Sequence, residues 1–304
     1  MDVFFLAAGL GTRFKPITDV WPKPCIPFLN VPMGLYHFRY LKNIQFNELV
    51  INTHHHADKI QSLYKHQPYY KEKIRFSYEP MILDTAGGLK NAFKNKTKNS
   101  TILMMNADEI IFSTDDRFLD KAIKEHDSEN RMATLVVMKH PEAGKKFGAI
   151  WCDNQNVKNI GKTNSDPNLL PWHYLGIMII NPKLLDLIEE GKPLNIFYDV
   201  LINHLKDYNI KIYPIEATWY ETGNAIDFLS ATQQELSKLT SNQSLKNFIN
   251  QYDESILKNN NLVSRNVSAE KINLAGFNVI AKDTILKSDK LENSVLFSDQ
   301  VIRA

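Results

Sequence analysis

Residues 1–24 read MDVFFLAAGLGTRFKPITDVWPKP. The run Val3–Ala7 contains no polar residue, so it reads as a strand buried on both faces. It gives way at once to Gly9, Gly11, Thr12 and Arg13, with Lys23 a little further on. In open α/β sheets ligands bind outside the carboxyl ends of the strands. Glycines at such a place let the backbone come close to a phosphate and present N–H groups to it. Thr12 can add a hydroxyl, and Arg13 a planar fork for phosphate oxygens. Pro16 and Pro24, on either side, restrict where the Lys23 ammonium can swing. The same residues also suit an ordinary Gly-rich turn with Arg13 at the surface. The stretch is not GxGxxG, because Phe14 follows Arg13, and it is not GxxxxGK[ST].

Outward from this loop, apolar runs alternate with helical patterns. Strands are expected at 48–52 (ELVIN), 74–79 (IRFSYE), 101–108 (TILMMNAD), 132–138 (MATLVVM), 172–180 (WHYLGIMII) and 210–216 (IKIYPIE). Helical spacing marks 33–43, 57–66, 86–95, 115–128, a segment from Pro182 and 197–205. A long amphipathic helix is expected over 224–239, with Asn224 as its cap. Residues 147–153 and 156–160 read as a hairpin turning at 154–156. This alternation predicts an α/β fold with a mostly parallel sheet and helices on both faces. After residue 244 the texture changes. Ile272, Phe277, Ile280, Ile285, Leu291 and Val295 recur at short, uneven steps, which fits a short β-solenoid or an irregular tail. The expected domains are 1–243, with halves meeting near 130, and a C-terminal extension over 244–304.

Bulk composition narrows the function classes. The 304 residues carry 36 Lys and Arg against 34 Asp and Glu, so no global positive field recruits nucleic acid or a membrane. Any anion site is local. Two cysteines, Cys25 and Cys152, stand outside any CxxC pair, which argues against a disulfide framework or a zinc knuckle. The apolar start breaks at Gly9 and lacks a basic flank, so it does not read as a signal peptide. No run reaches the roughly 18–20 apolar residues of a membrane span. A cytoplasmic protein is expected.

Several other residues are placed to do chemistry. Asp108 closes an apolar strand, and Glu221 follows another, from a remote part of the chain. Two strand-end acids can share a Mg²⁺ ion, which prefers carboxylate, phosphate and water ligands. Glu79 can accept from the N1/N2 edge of guanine, and backbone groups near Thr85 can read the rest of a base. Lys162 can meet a second phosphate. Gly148 and Gly176 flank apolar strands and either admit a sugar ring or mark bulges. His54, His55 and His56 are consecutive, so on extended chain they point to opposite faces; they read as strand end and loop, not as a metal cluster. No Ser–His–Asp arrangement is visible.

LAAGLGTRFKPITDVWPKP resembles the signature of the sugar-1-phosphate nucleotidylyltransferases, in the mannose-1-phosphate guanylyltransferase-like and MurNAc-1-phosphate uridylyltransferase-like branch. The resemblance continues in order through INTHHHADKI, YEPMILDTAGGLKNA, MMNAD, FGAIWCD, HYLGIMII and WYETGN, to about residue 235. It implies a Rossmann-like nucleotidyltransferase sheet, and for the tail from 262 a degenerate left-handed β-helix. It implies that Gly9, Gly11 and Thr12 hold an NTP triphosphate, stabilised by Arg13 and Lys23. Asp108 and Glu221 would hold Mg²⁺, and Leu6, Ala8, Glu79 and Thr85 would form the base pocket. Lys162 would meet the sugar phosphate, with the sugar near Gly148 and Gly176. Arg13, Lys23 and Asp108 would be catalytic.

The implied reaction joins an NTP, with GTP favoured, to a mannose-1-phosphate-like sugar 1-phosphate, releasing pyrophosphate. A UTP-dependent enzyme acting on MurNAc-1-phosphate or a hexose 1-phosphate stays open, as does a non-catalytic regulatory subunit that binds sugar nucleotides. A homo-oligomer through the C-terminal extension is also expected. Three positions depart from the pattern. Glu221 stands for the usual Asp, Asp84 for a Gly before Thr85, and Gly161 for a Glu before the lysine.

Overall fold

A computed structural model describes residues 1–65, 67, 70–95, 100–269 and 272–303. The expected end of the second helix, at residue 66, and residues 270, 271 and 304 of the tail lie outside the described residues. In chain order the strands are β1 (Asp2–Leu6), β2 (Pro27–Phe28), β3 (Val31–Pro32), β4 (Leu49–Thr53), β5 (Ile74–Tyr78), β6 (Ile102–Asn106), β7 (Ile110–Ser113), β8 (Ala133–Met138) and β9 (Ala149–Asp153). They continue as β10 (Asn156–Gly161), β11 (Leu170–Ile180), β12 (Ile210–Pro214), β13 (Ala217–Tyr220), β14 (Ser255–Lys258), β15 (Asn261–Ser264), β16 (Asn273–Ile280), β17 (Lys290–Phe297) and β18 (Gln300–Arg303). The α-helices are α1 (Phe38–Leu41), α2 (Ala57–Lys65), α3 (Asp84–Phe93), α4 (Phe118–Ser128), α5 (Ala225–Leu239) and α6 (Gln243–Tyr252).

The chain forms two compact units. Unit one comprises Met1–Gly9, Tyr40–Ala107 and Ile111–Trp219; unit two comprises Leu10–Arg39, Asp108–Ile110 and Tyr220–Ala304.

Unit one is built on a nine-stranded sheet in the order β5-β4-β1-β6-β11-β8-β12-β10-β9. Phe4 packs edge-on against Phe93 of α3, and Phe5 against Tyr64 of α2. Successive strand residues point to opposite faces. The two helices therefore cover opposite faces of β1, which is why its apolar run shows no alternation. β5, β4, β1 and β6 run parallel. β11 lies antiparallel between β6 and β8, and β10 and β9 are antiparallel too. The expected mostly parallel sheet is thus a mixed one. The cause is visible in β11: its buried residues Leu175 and Ile177–Ile180 form an unbroken apolar run, and such a run carries no sign of strand direction. The hairpin of β9 and β10 turns at Asn154, which takes φ 52°, as expected for a short polar turn residue.

Two histidines in unit one are buried as neutral rings. His126 on α4 meets the Thr134 hydroxyl at 2.9 Å, and burial pushes its pKa down to about 4. His173 on β11 packs on Trp219 at 4.1 Å between ring centres, and burial again pushes the ring down to about 4. Between the unfolded value near 6.5 and about 4 the unfolded chain binds the protons, so stability rises with pH across that window. The loss on acidification is up to about 3 kcal/mol per ring. Urea denaturation at pH 7.5 and pH 4.5 is expected to show this fall, and His173→Phe to flatten it. An unchanged slope in that variant would remove His173 as a source.

Unit two combines the loop 10–39 with α5, α6 and a five-stranded sheet β14-β15-β16-β17-β18. The Asn224 side chain caps α5, accepting the Asp227 N–H at 3.0 Å. β15, β16 and β17 are parallel, placing Val263 beside Ile280 and Ile280 beside Leu296 in one apolar column. β14 and β18 are antiparallel additions, so the tail is a small mixed sheet, not a plain coil of parallel rungs. Phe277, Ile280, Leu291 and Val295 are buried as their spacing suggested, but Ile285 is exposed. The loop rests on this sheet: Trp21 meets Phe297 edge-on at 5.7 Å, and the Asn30 amide donates to the Ile280 carbonyl.

Candidate active site

Within unit two, four charged side chains from three separate segments are cross-paired. Lys23 Nζ lies 2.8 Å from Asp108 Oδ2, and Arg13 Nη1 lies 3.9 Å from Glu221 Oε1. Burial works against the Lys23 ammonium, but Asp108, Glu109 and Glu221 together hold its pKa above the ordinary lysine value. For Asp108, burial opposes ionisation, while Lys23 and, more weakly, His37 keep the carboxyl below the ordinary aspartate range. Both groups are charged throughout the neutral range. The two remote acids therefore flank the same ammonium.

Local structure explains the placement. Gly11 has φ +60°, where a side chain is strained, and a Cβ there would stand 2.8 Å from the Thr18 methyl. The Thr18 hydroxyl donates to the Gly11 carbonyl at 2.8 Å, closing the loop that presents Thr12 and Arg13 to solvent. Lys23 sits between Pro22 and Pro24 at the start of a 3₁₀ turn, Lys23–Cys25. Glu221 follows Tyr220, whose phenol donates to the buried Glu235 carboxylate at 2.7 Å. Thr222 reaches the Asp108 carbonyl at 3.4 Å, joining the two acid-bearing segments. Glu109, Tyr220, Thr222 and Glu235 were not singled out from the sequence; only the fold brings residues 108–110 beside 220–235.

Gly223 makes the longer Glu221 side chain workable. Its N–H donates to Glu221 Oε1 at 2.7 Å, and a Cβ on it would fall 2.4 Å from that oxygen and 2.9 Å from Arg13 Cζ. Gly223→Ala is expected to push aside the ends of the Glu221 and Arg13 side chains, lowering turnover about tenfold or more while leaving the melting temperature close to wild type, because both side chains are long and flexible. Thermal melting with a turnover assay checks this; wild-type turnover would show that the close approach is unimportant.

The oxygen donors suit Mg²⁺, which is typically held by one or two carboxylates with phosphate and water completing the shell. Among the described residues no group of three or more His, Cys, Asp or Glu is placed to cage a metal. His54 Nδ1 lies 2.8 Å from the Glu79 carbonyl, while the His55 and His56 rings lie 3.8 Å apart at a tilt of 51°.

Unit one holds the other candidate residues. Gly9 is exposed, with open space where a Cβ would stand, just past the end of β1. The Leu6 carbonyl accepts from the Ala107 N–H at 3.0 Å. Asn52 Oδ1 accepts the N–H groups of Ala7 and Ala8 at 2.7 and 3.2 Å. Asn52 Nδ2 donates to Glu79 Oε1 at 2.8 Å, and Glu79 Oε2 accepts the Leu83 N–H at 3.0 Å. Glu79 is 0 % exposed, and desolvation raises its pKa above the ordinary glutamate value. Its carboxylate is turned inward, which corrects the expectation that it faces the edge of a base.

Thr85 Oγ1 accepts the Ile196 N–H at 2.7 Å. Asp84 sits at φ 56° and accepts from Asn195 at 3.3 Å, so the position where glycine is usual is indeed left-handed. Lys162 is exposed just beyond β10. Gly176 has φ 71° within a register shift between Tyr174 and Met178, so it marks a bulge. Among the described residues, a Cβ on Gly148 would meet only the Tyr198 hydroxyl, at 3.7 Å.

The family described as nucleotidyl transferase matches residues 3–238. Mannose-1-phosphate guanyltransferase 2 of Candida glabrata is 30% identical over 245 residues, covering 79% of this chain and 66% of the relative. Mannose-1-phosphate guanyltransferase of Saccharomyces cerevisiae is 30% identical over 250 residues, covering 81% and 68%. UTP–glucose-1-phosphate uridylyltransferase of Synechocystis sp. is 28% identical over 253 residues, covering 78% and 64%. The match spans about two thirds of the length of these curated relatives. Among solved structures, UDP-glucose pyrophosphorylase from Acinetobacter baumanii superposes with TM-score 0.64 at 16% identity, covering 82% of this chain and 97% of that one. HddC from Yersinia pseudotuberculosis gives TM-score 0.62 at 23% identity, covering 77% and 98%. At these identities the superpositions speak for the fold alone.

Proposed function

The chain belongs to the nucleotidyl transferase family, and we propose that it is an enzyme transferring a nucleotidyl group from an NTP to a sugar 1-phosphate. The observation that carries this reading is the cross-paired cluster of Arg13, Lys23, Asp108 and Glu221. A phosphate oxygen of the sugar 1-phosphate attacks the α-phosphorus. The new P–O bond forms as the bond to the β-phosphate bridging oxygen breaks, and pyrophosphate leaves. The nucleophile is already an anion, so no general base is required; the task is to hold two anions together. Arg13 and Lys23 offset charge on the departing pyrophosphate, and the Gly9–Thr12 loop holds the triphosphate. Asp108 and Glu221 hold Mg²⁺, which when bound neutralises phosphate charge and orients the reacting oxygens. Leu6, Ala8 and Thr85 border the base, and Lys162 aligns the sugar phosphate beside Gly148 and Gly176.

GTP is the proposed donor, and a mannose-1-phosphate-like sugar the acceptor. The guanyltransferases among the relatives support this, whereas the inward turn of Glu79 withdraws the support its carboxylate would have given. UTP is the competing donor, on the strength of the uridylyltransferase relative. Among the described residues no helix is long and apolar enough to cross a membrane, and the proposed setting is the cytoplasm. Pyrophosphate release is measured over GTP, UTP, ATP, CTP and dTTP against mannose, glucose and MurNAc 1-phosphates. Turnover highest with GTP and mannose 1-phosphate is expected. Turnover with no pair, together with tight binding of a sugar nucleotide, would make the protein a binder instead.

A further inference from the structure

The end of β1 is held by a side chain where the sheet stops supplying partners. β1 ends at Leu6, and the next two N–H groups, of Ala7 and Ala8, both donate to Asn52 Oδ1. Asn52 is 2 % exposed, and its own amide is fixed because Nδ2 donates to the fully buried Glu79. Glu79 in turn accepts the Leu83 N–H. The chain of bonds thus runs from residues 7–8 through Asn52 and Glu79 to residue 83, with every polar atom in a defined role. Gly88 packs against the pair: a Cβ there would stand 2.7 Å from Glu79 Oε1 and 3.0 Å from Asn52 Nδ2. Space, burial and hydrogen bonding all converge on these two side chains.

We infer that Asn52, clamped by Glu79, is a positioning residue that sets the backbone at Ala7 and Ala8 for nucleotide binding. This rests on the proposed nucleotide role of residues 6–9. In this arrangement Glu79 acts on the nucleotide through Asn52 and not by contact with a base. A fixed backbone presents its carbonyls in one direction without reorganisation on binding, which lowers the ordering cost of the complex. The polarity of the Asn52–Glu79 bond is then the quantity to invert.

Asn52→Asp sets two carboxylates face to face. Glu79→Gln leaves one amide donor facing either the Asn52 amide or the Leu83 N–H. The double variant N52D/E79Q restores the bond between the two side chains with its direction reversed. The amide introduced at position 79 donates to the carboxylate introduced at position 52, and the amide oxygen still accepts from the Leu83 N–H. Calorimetry with a non-hydrolysable analogue of the preferred NTP gives affinity, steady-state kinetics give KM and kcat, and melting reports folding. N52D and E79Q are expected to raise the NTP Kd and KM about tenfold, a loss equivalent to ~1.4 kcal/mol. The sugar-phosphate KM should stay near wild type, and the double variant should bind within about threefold of wild type. E79Q against the double variant decides the matter even where N52D alone does not fold. A wild-type chain that binds no NTP overturns the nucleotide reading and this inference with it. A wild type that binds, with the double variant no better than E79Q, overturns the inference alone, as does a loss confined to melting temperature.

Discussion

Asp108→Asn is expected to lower the rate of pyrophosphate release by about 10²- to 10³-fold while the protein stays folded. The substitution keeps the size of the side chain and removes one of the two carboxylates proposed to meet Mg²⁺. Folding tolerates it because the Asp108 side chain is only partly enclosed, at 31 % exposure, and Lys23 keeps Glu109 and Glu221 as neighbours. On the proposed mechanism turnover falls, because an amide oxygen carries too little charge to hold a divalent ion among phosphates. Turnover at saturating NTP and sugar phosphate, compared with thermal melting, separates the two effects. A variant within about threefold of wild-type turnover would remove Asp108 from the catalytic centre.

Lys23→Met is expected to cost about 10²-fold or more in turnover, for a different reason. The Lys23 ammonium is largely enclosed, at 13 % exposure, and it contacts Asp108 directly at 2.8 Å. In the free enzyme it neutralises the acids; with substrates bound, on the proposed mechanism, it turns to the phosphates. Replacing it takes away the positive charge proposed to offset the leaving pyrophosphate and also unmasks Asp108. The variant is therefore expected to bind Mn²⁺ alone more tightly than wild type, by about tenfold, since like-charged neighbours without a counter-charge attract a cation. Electron paramagnetic resonance of free Mn²⁺ reads this without any turnover. Weaker turnover with unchanged or weaker Mn²⁺ binding would show that Lys23 does not mask the acid. The contrast between the two variants matters, because removing either partner lowers turnover but only one should raise affinity for the ion.

Much of this was legible along the chain. Val3–Ala7, the MMNAD segment and the Asn224 cap are local signals: burial on both faces leaves an unbroken apolar run, and a capping side chain bonds only a few residues away. Asp108 and Glu221 stood out as acids that follow apolar strands, and Arg13 and Lys23 as cations on the glycine- and proline-bearing loop after the first strand. The departure at Asp84 was also visible, and the left-handed backbone there gives its reason. The inward turn of Glu79 was not legible. Sequence shows that an acid ends a strand, but not whether a distant amide has already taken its oxygens. Ile285 was misread for the same reason, since spacing suggests a column and only the neighbouring strands decide which side chains enter it.

The amino-acid sequence by itself determined the elements, the strand-end loop and the charged residues, because these depend on periodicity and on groups within a few residues of each other. Only the tertiary structure decided the direction of β11, the pairing of Lys23 with Asp108 and the clamp of Asn52 on Glu79. An apolar run buried on both faces is the same in either direction, and a hydrogen bond between residues far apart in the chain exists only once the sheet has brought their backbones together.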